Sequence, residues 1–363
     1  MNENCLKLTA YFGERQRTDG QFLAEALLEL YGRERVATSI MLRGTGGFGP
    51  RHLLRTDSSL SLSEDPPVAV AAVDTDTKIS GLLDAVVDLT PRGLVTVERA
   101  RLIEADQDGA VEDVVIPAAV GDAVKLTVYV GRQEHVGRTP AYLAVCDLLF
   151  RHGLHGASAF LGVDGTAHGR RHRARFFGRN VDVPMMIIAV GDTAVVERAA
   201  CELGGILGRA LMTVERVRVC KRDGALLCRP DVLPSTDAHG RPLHQKLMVY
   251  TSEDSLTDGV PVHRALVRRL RESQSAGGAT ALRGMWGFHG AEPPHGDRFL
   301  QLSRRVPVTT IVVDTPDSIA RSFDIVDAVT QKHGLVTSEM VPARISIDED
   351  SPQRPVELAR YDY

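Results

Sequence analysis

The sequence predicts an α+β protein, with three tandem ferredoxin-like βαββαβ units packed together in one chain around a pseudo-threefold axis. Three observations predict it: sequence blocks recur three times at nearly constant spacing, each copy alternates strand and helix patterns in the order βαββαβ, and one such unit alone leaves a sheet face uncovered. The copies open with "KLTAYFGERQRTDG" at Lys7, "KLTVYVGRQEHVGR" at Lys125 and "KLMVYTSEDSLTDG" at Lys246, 118 and 121 residues apart. Their middles read "PPVAVAAVDT" from Pro66, "VPMMIIAVGD" from Val183 and "VPVTTIVVDT" from Val306. Their ends read "GLVTVERARLI" from Gly93, "ALMTVERVRVC" from Ala210 and "GLVTSEMVPARI" from Gly334. From the opening Lys to the Asp of the middle block the distances are 67, 67 and 68 residues.

In the first copy, Leu6, Leu8 and Ala10 alternate with Lys7, Thr9 and Tyr11, the pattern of a half-buried strand. Phe22, Ala26 and Leu30 then recur at intervals of four with Leu23 and Leu27 beside them, which gives one apolar helix face. "VATSIML" reads as a second strand entering a glycine-rich loop, and "VAVAAV" as a third strand, apolar throughout. Ile79, Leu82, Leu83 and Val86 mark the second helix. In the third copy that helix has Thr315 as its expected N-cap and Pro316 as its first residue. "LVTVERARL" closes the unit as the fourth strand. The repeats are placed at 1–104, 124–220 and 244–348, separated by linkers at 105–123 and 221–243 that are rich in Asp, Gly and Pro, and a polar tail covers 349–363. Three copies can bury their open sheet faces against one another, as the subunits of a homotrimer do.

Composition narrows the function classes. The chain has 363 residues, 43% of them hydrophobic, and a net charge of −4 from 43 basic and 47 acidic residues. No charge surplus favours nucleic acid or an anionic membrane, so a basic site has to be local. There is no apolar run of about 18 residues to span a bilayer and no signal-type amino terminus, so the expected location is the cytoplasm. Five scattered cysteines without a Cys-x-x-Cys pair point to reduced thiols rather than a disulfide framework or a zinc site.

"KLTAYFGERQR", "LRGTGGFG", "LSEDPPVAVAAVD" and "GLVTVERARLI" resemble the family catalogued as domain of unknown function 190, a relative of the PII signal-transduction proteins. The resemblance covers all three repeats. It implies a PII-like trimeric architecture, here within one chain, and a long mobile loop between the second and third strands. In PII proteins the base of that loop, similar to "RGTGGFG" here, helps to bind adenine nucleotide between neighbouring subunits. The PII loop before the last strand, Gly- and basic-rich, has as its counterpart here "LTPRGLVTVE", which passes almost directly into the strand.

The candidate ligand site is the pair of glycine loops, Arg43, Gly44, Gly46, Gly47, Phe48 and Gly49 in copy one and Arg283, Gly284, Gly287 and Phe288 in copy three. Glycine lets a ligand approach the main chain, and an Arg before the loop adds a bidentate contact to an anion. The competing reading is a tight turn with each Arg paired to a carboxylate. Copy two has Leu161 at the Arg position and carries instead a basic loop, His168, Arg170, Arg171, His172, Arg173 and Arg175, suited to an acidic partner or polyanion and equally to a solvated face. His289, His295, Glu292 and Asp297 are metal-ligand types without a fixing geometry. Asp74 and Asp314 sit where helices start, and Glu98, Glu215 and Glu339 stand at what reads as an outward strand position. No motif unites a nucleophile, a base and an orienter. The sequence thus points to a non-enzymatic cytoplasmic regulator that senses a small anion, adenine nucleotide by the resemblance, at clefts between repeats and addresses a protein or membrane-protein partner through its loops. The alternatives are a ligand-free scaffold for a protein or channel, and a metal-dependent enzyme using the His-bearing loops.

Overall fold

The structure is a computed structural model that describes residues 3–56, 65–104, 123–167, 170–173, 183–207, 211–296, 305–348 and 357–360. The first repeat runs β1 (Glu3–Gly13), α1 (Leu23–Arg33), β2 (Thr38–Phe48), β3 (Pro67–Thr75), α2 (Asp76–Leu89) and β4 (Gly93–Glu104). The second runs β5 (Ala123–Gly131), α3 (Ala141–Arg151), β6 (Gly156–Leu161), β7 (Asp164–Ala167), β8 (Arg170–Arg173), β9 (Pro184–Asp192), α4 (Thr193–Leu207), β10 (Leu211–Arg222) and β11 (Ala225–Leu226). The third runs β12 (His244–Ser252), α5 (Val262–Ser273), β13 (Ala279–Arg283), β14 (Trp286–His289), β15 (Pro307–Asp314), α6 (Pro316–Val329), β16 (Leu335–Val341) and β17 (Ala343–Ile347).

The strands do not stand as three ferredoxin-like α+β units packed as a pseudo-trimer, as the sequence predicts. They join in one continuous sheet that closes on itself. Nine of them, β1, β3, β2, β13, β15, β12, β16, β10 and β4, pair in that order and return to β1 as an antiparallel barrel. The joints between repeats are backbone ladders: β2 with β13, β7 with β2, β6 with β14, and β4 with both β10 and β17. The physical reason is the edge strand. A separate four-stranded unit would expose two rows of unpaired N–H and C=O groups, and here each row finds the neighbouring repeat.

Among the described residues six helices cover the outside of the sheet, and the interior divides into four apolar clusters. Three lie between helices and sheet, for example Leu23, Leu27, Tyr31, Ile79 and Val86 against Leu8, Val70 and Val97. The fourth joins strands of all three repeats, with Ile40, Ala71, Tyr129, Ile188, Met248 and Ile311 among its members. That central cluster changes the reading of β1. Lys7 and Thr9, expected on a solvent face, are 5% and 3% exposed, because the other repeats cover them. Phe22, expected on the helix face, is the N-cap of α1 and lies 42% exposed, so the apolar stripe begins at Leu23.

Helix starts follow the local signals. The Thr315 hydroxyl accepts the Ser318 amide at 3.4 Å with Pro316 next in sequence. Asp314 accepts the amides of Thr315 (2.8 Å) and Gly277 (2.7 Å), tying α6 to the strand entry of β13. Asp74 does the same for Thr75 and Ala37 in the first repeat.

Candidate functional site: an arginine-lined cleft and a buried ion ring

The glycine segments expected to form loops are mostly strand, with Gly49 and Gly284 just past strand ends. Residues 44–48 belong to β2 and pair with β13 of the third repeat, while 286–289 pair with β6 of the second. The glycines serve close backbone approach. A Cβ on Gly47 would come within 2.4 Å of the Ala279 carbonyl oxygen, and one on Gly287 within 2.1 Å of that of Ala157. Gly165 of the second repeat has the same relation to Ser39, at 2.1 Å, so the copy with Leu161 at the Arg position keeps this contact. Gly44 and Gly284 would press on Pro67 and Pro307 at 2.7 and 2.8 Å. Gly46 would reach the Arg55 carbonyl at 3.6 Å, Phe288 is fully buried against Phe150, and Gly49 faces open space.

Arg43 and Arg283 point to carboxylates. Arg43 pairs with Glu14, and Arg283 with Glu253 at 2.7 Å. In the second repeat, Arg170, Arg171, His172 and Arg173 form the backbone of β8 opposite β7, and His168 and Arg175 lie outside the described residues. His289 is half-buried with Nε2 facing the Thr251 carbonyl at 3.3 Å, and His295 turns Nδ1 to the Pro293 carbonyl at 3.0 Å. Asp297 lies outside the described residues. The metal-type group found among the described residues is elsewhere, at Glu98, Glu215 and Glu339.

Phe48 and Gly49 do open onto a cleft, between the first and third repeats. The first repeat contributes the end of β1, the segment Phe48–Arg55 and Arg92–Leu94. The third contributes Gly277–Thr280, Ile311, Val313, Arg344 and Ser346–Asp348. The free space is about 1000 Å³, part of it open to solvent. Its walls are mainly apolar, with Tyr11, Phe12, Phe48, Leu94 and Ile347, and four arginines stand around it: Arg51, Arg55, Arg92 and Arg344. Asp348 meets Arg51 and Arg92, each at 3.3 Å, Arg55 pairs with Asp65 at 2.5 Å, and Arg344 donates Nε to the Val313 carbonyl at 3.0 Å. Among the described residues, four guanidiniums stand here with two carboxylates, a local gathering of cationic groups in a chain of net negative charge.

The junction of the second and third repeats is built differently. Strands β10 and β11 form a hairpin whose turn, Asp223–Gly224, packs on the loop before β16, and a Cβ on Gly224 would meet the Gln331 carbonyl at 2.3 Å. Arg222 contacts His155 Nδ1 at 3.1 Å, and His155 Nε2 faces Asp192 at 3.2 Å. Burial and then Arg222 push His155 below its ordinary value, so the neutral ring can accept from Arg222. Residues 221–226, expected as linker, thus fill this junction.

The largest departure from the sequence reading is at the centre. Lys7, Lys125 and Lys246 stand directly across the ladder from Glu98, Glu215 and Glu339, and all six are buried. Each ammonium also reaches the carboxylate of the next repeat, which closes a ring. Lys125 meets Glu215 at 2.5 Å and Glu339 at 2.6 Å, Lys246 meets Glu339 at 2.7 Å and Glu98 at 2.5 Å, and Lys7 meets Glu98 and Glu215 at 3.6 and 3.5 Å. Burial alone would depress the lysines, but the carboxylates beside them outweigh it and hold all three above their ordinary value. Burial would likewise raise Glu98 and Glu215, yet the lysines hold both below theirs. Three carboxylates within 4.8 Å of one another are cation ligands by type, and the three ammoniums already neutralise them. The repetition of Lys and Glu at one register in three copies was the available signal.

No helix among the described residues is long and apolar enough to cross a membrane. Comparison with known proteins places the chain in a family. A UPF0166 protein of Aquifex aeolicus (strain VF5) is 30% identical over 103 residues, which span 28% of this chain and 94% of that protein. The model of the family DUF190, described as Uncharacterized ACR, matches residues 5–102, 123–219 and 244–343. With those matches covering most of its length, the chain belongs to the DUF190 family and carries its domain three times in tandem.

Proposed function

We propose that the protein is a PII-like regulator that takes a small anionic ligand into the cleft between its first and third repeats. The observation that carries this reading is the set of four arginines around an open cleft with aromatic and glycine walls. Guanidiniums recognise phosphate and carboxylate by paired N–H donors, and apolar walls suit a ligand with a flat or aliphatic body. Adenine nucleotide fits that chemistry and is what the PII resemblance implies. The segment Phe48–Arg55 supplies both cleft wall and surface, since Leu53 lines the cleft and is 64% exposed. A ligand held by Arg51 and Arg55 orders this segment, and a partner protein meets the ordered surface with altered affinity.

Calorimetry of the full chain with ADP and ATP tests the reading. The expected result is saturable binding with one ligand per chain, weakened by Arg92→Ala and by Arg344→Ala. Absence of heat and of any thermal shift with either nucleotide and with inorganic pyrophosphate removes the ligand reading and leaves the protein-binding scaffold.

A further inference from the structure

We propose that Cys220 and Cys228 are a dithiol pair that closes to a disulfide on reaction with a hydroperoxide. This site is separate from the arginine-lined cleft. It lies at the base of the β10–β11 hairpin, where the amides of Leu227 and Cys228 both donate to the Cys220 carbonyl, at 2.9 and 3.2 Å. The second bond makes Cys220 and Cys228 neighbours across the hairpin base, with Cys220 in an apolar cluster and Cys228 packed against it, the kind of cross-strand approach a disulfide requires. A bulge in β10 between Val219 and Lys221 shifts the register at this point. The Cys228 thiol lies near enough to Cys220 to add to the rise that burial imposes on it. The Cys228 thiol donates to the Val219 carbonyl at 3.3 Å, and that of Cys220 reaches the Arg218 carbonyl at 3.8 Å.

The two sulfurs differ in a way that assigns their roles. Cys220 is buried in the core of the third repeat's helix layer, and burial pushes its thiol up to about 12. Cys228 is half-buried at the edge of that layer, beside the Arg218 guanidinium, which Asp231 holds at 2.8 Å. Reactive cysteines occupy such partly exposed, electropositive places. In the first step Cys228 gives up its proton and its sulfur attacks the outer peroxide oxygen. The O–O bond breaks, Cys228 becomes a sulfenic acid, and the alkoxide or hydroxide leaves with that proton as alcohol or water. In the second step the Cys220 sulfur attacks the Cys228 sulfur and expels hydroxide, which takes the Cys220 proton as water. Two thiols are oxidised, one peroxide is reduced, and exchange with an external thiol reverses the change.

The location gives the bond a consequence. The same hairpin carries Lys221, paired with Asp327 at 2.5 Å, and the turn that fills the junction of the second and third repeats. A covalent tie at its base holds that turn in place.

The test uses the full chain with Cys201→Ser, which removes the exposed thiol, treated with hydrogen peroxide and digested without reductant. The expected product is a cross-linked peptide joining Cys220 and Cys228, lighter by two hydrogens, lost on thiol treatment and absent in Cys228→Ser. In Cys220→Ala, a sulfenic-acid trap should label Cys228. Free thiols at both positions after complete reaction, or trapping at another cysteine with Cys228 unmodified, overturns the proposal.

Discussion

Lys125 donates to both carboxylate oxygens of Glu339, at 2.6 and 2.8 Å, although the two residues stand 214 positions apart and in different repeats. The pair exists only when the second and third repeats are joined, and the equivalent contacts of Lys246 with Glu98 and of Lys7 with Glu215 make the same demand elsewhere. Removing one member of a buried pair leaves an uncompensated charge, and this typically costs about 3–5 kcal/mol. Lys125→Met is therefore expected to lower the urea midpoint sharply, because Glu215 and Glu339 both lose their nearest cation. Glu98→Gln should act similarly through Lys246. A midpoint unchanged in both variants would show that the ring contributes nothing.

The same ring sets an expectation for pH. Glu98 and Glu215 lie below the ordinary carboxylate value when folded, so their contribution is present above about pH 4.3 and fades as pH falls toward their folded values. Lys7, Lys125 and Lys246 lie above theirs, so their contribution is present below about pH 10.4 and fades as pH rises through their folded values. His244, His263 and His289 are pushed down to about 4, chiefly by burial. Unfolding lets them take up protons below about pH 6.5, so stability starts to fall there first. Burial holds the Cys5, Cys146 and Cys220 thiols above their ordinary value, so stability also starts to fall above about pH 8.5. Thermal melts should show a plateau from about pH 7 to 8, a gradual acid decline led by the histidines, and a steeper loss below about pH 4. A melting temperature that rises on acidification from pH 7 to 5 would contradict this.

What was legible in the sequence was what each repeat decides locally. The order of strands and helices and the Thr315 cap follow from patterns a few residues long. The ion ring was not legible, because on an isolated repeat Lys7 and Glu98 alternate away from the apolar face and read as solvent-facing. Only the docking of the other repeats buries them. The glycines read as positions where a ligand approaches the main chain, whereas what approaches Gly47 is the Ala279 carbonyl of a neighbouring strand. The cleft joins Arg92 to Asp348 across 256 positions, which no local pattern encodes. The β10–β11 hairpin did leave a signal, the Asp223–Gly224 dipeptide, whose positive φ values of 50° and 83° suit a tight hairpin turn.

The glycine contacts separate packing from ligand access. Gly47→Val places side-chain atoms against the Ala279 carbonyl, and Gly287→Val does the same at Ala157. Overpacking of this kind costs about 1–3 kcal/mol or more, so both should lose stability, and Gly165→Val in the second repeat should match them. Gly49→Ala meets nothing within 4 Å and faces the cleft, so its urea midpoint should stay within about 0.5 kcal/mol of the parent. Equal stability of Gly47→Val and Gly49→Ala would contradict the close-approach account.

The arginines divide in the same way. Arg43 and Arg283 are engaged by Glu14 and Glu253 and do not line the cleft, whereas Arg92 and Arg344 do. If an anion binds where the cleft's guanidiniums converge, losing one charge-assisted contact costs about 1.5–3 kcal/mol, which is about a ten-fold or greater rise in Kd. Arg92→Ala and Arg344→Ala should each show that rise, while Arg43→Ala combined with Arg283→Ala should leave Kd within about two-fold, since both arginines lie outside the cleft. Titration of the four proteins with the same nucleotide at two salt concentrations gives the comparison, because contacts to an anion weaken as salt rises. If the Arg43 and Arg283 double variant loses binding and the Arg92 and Arg344 variants keep it, the ligand sits at the glycine-bearing strand ends and the cleft assignment is wrong.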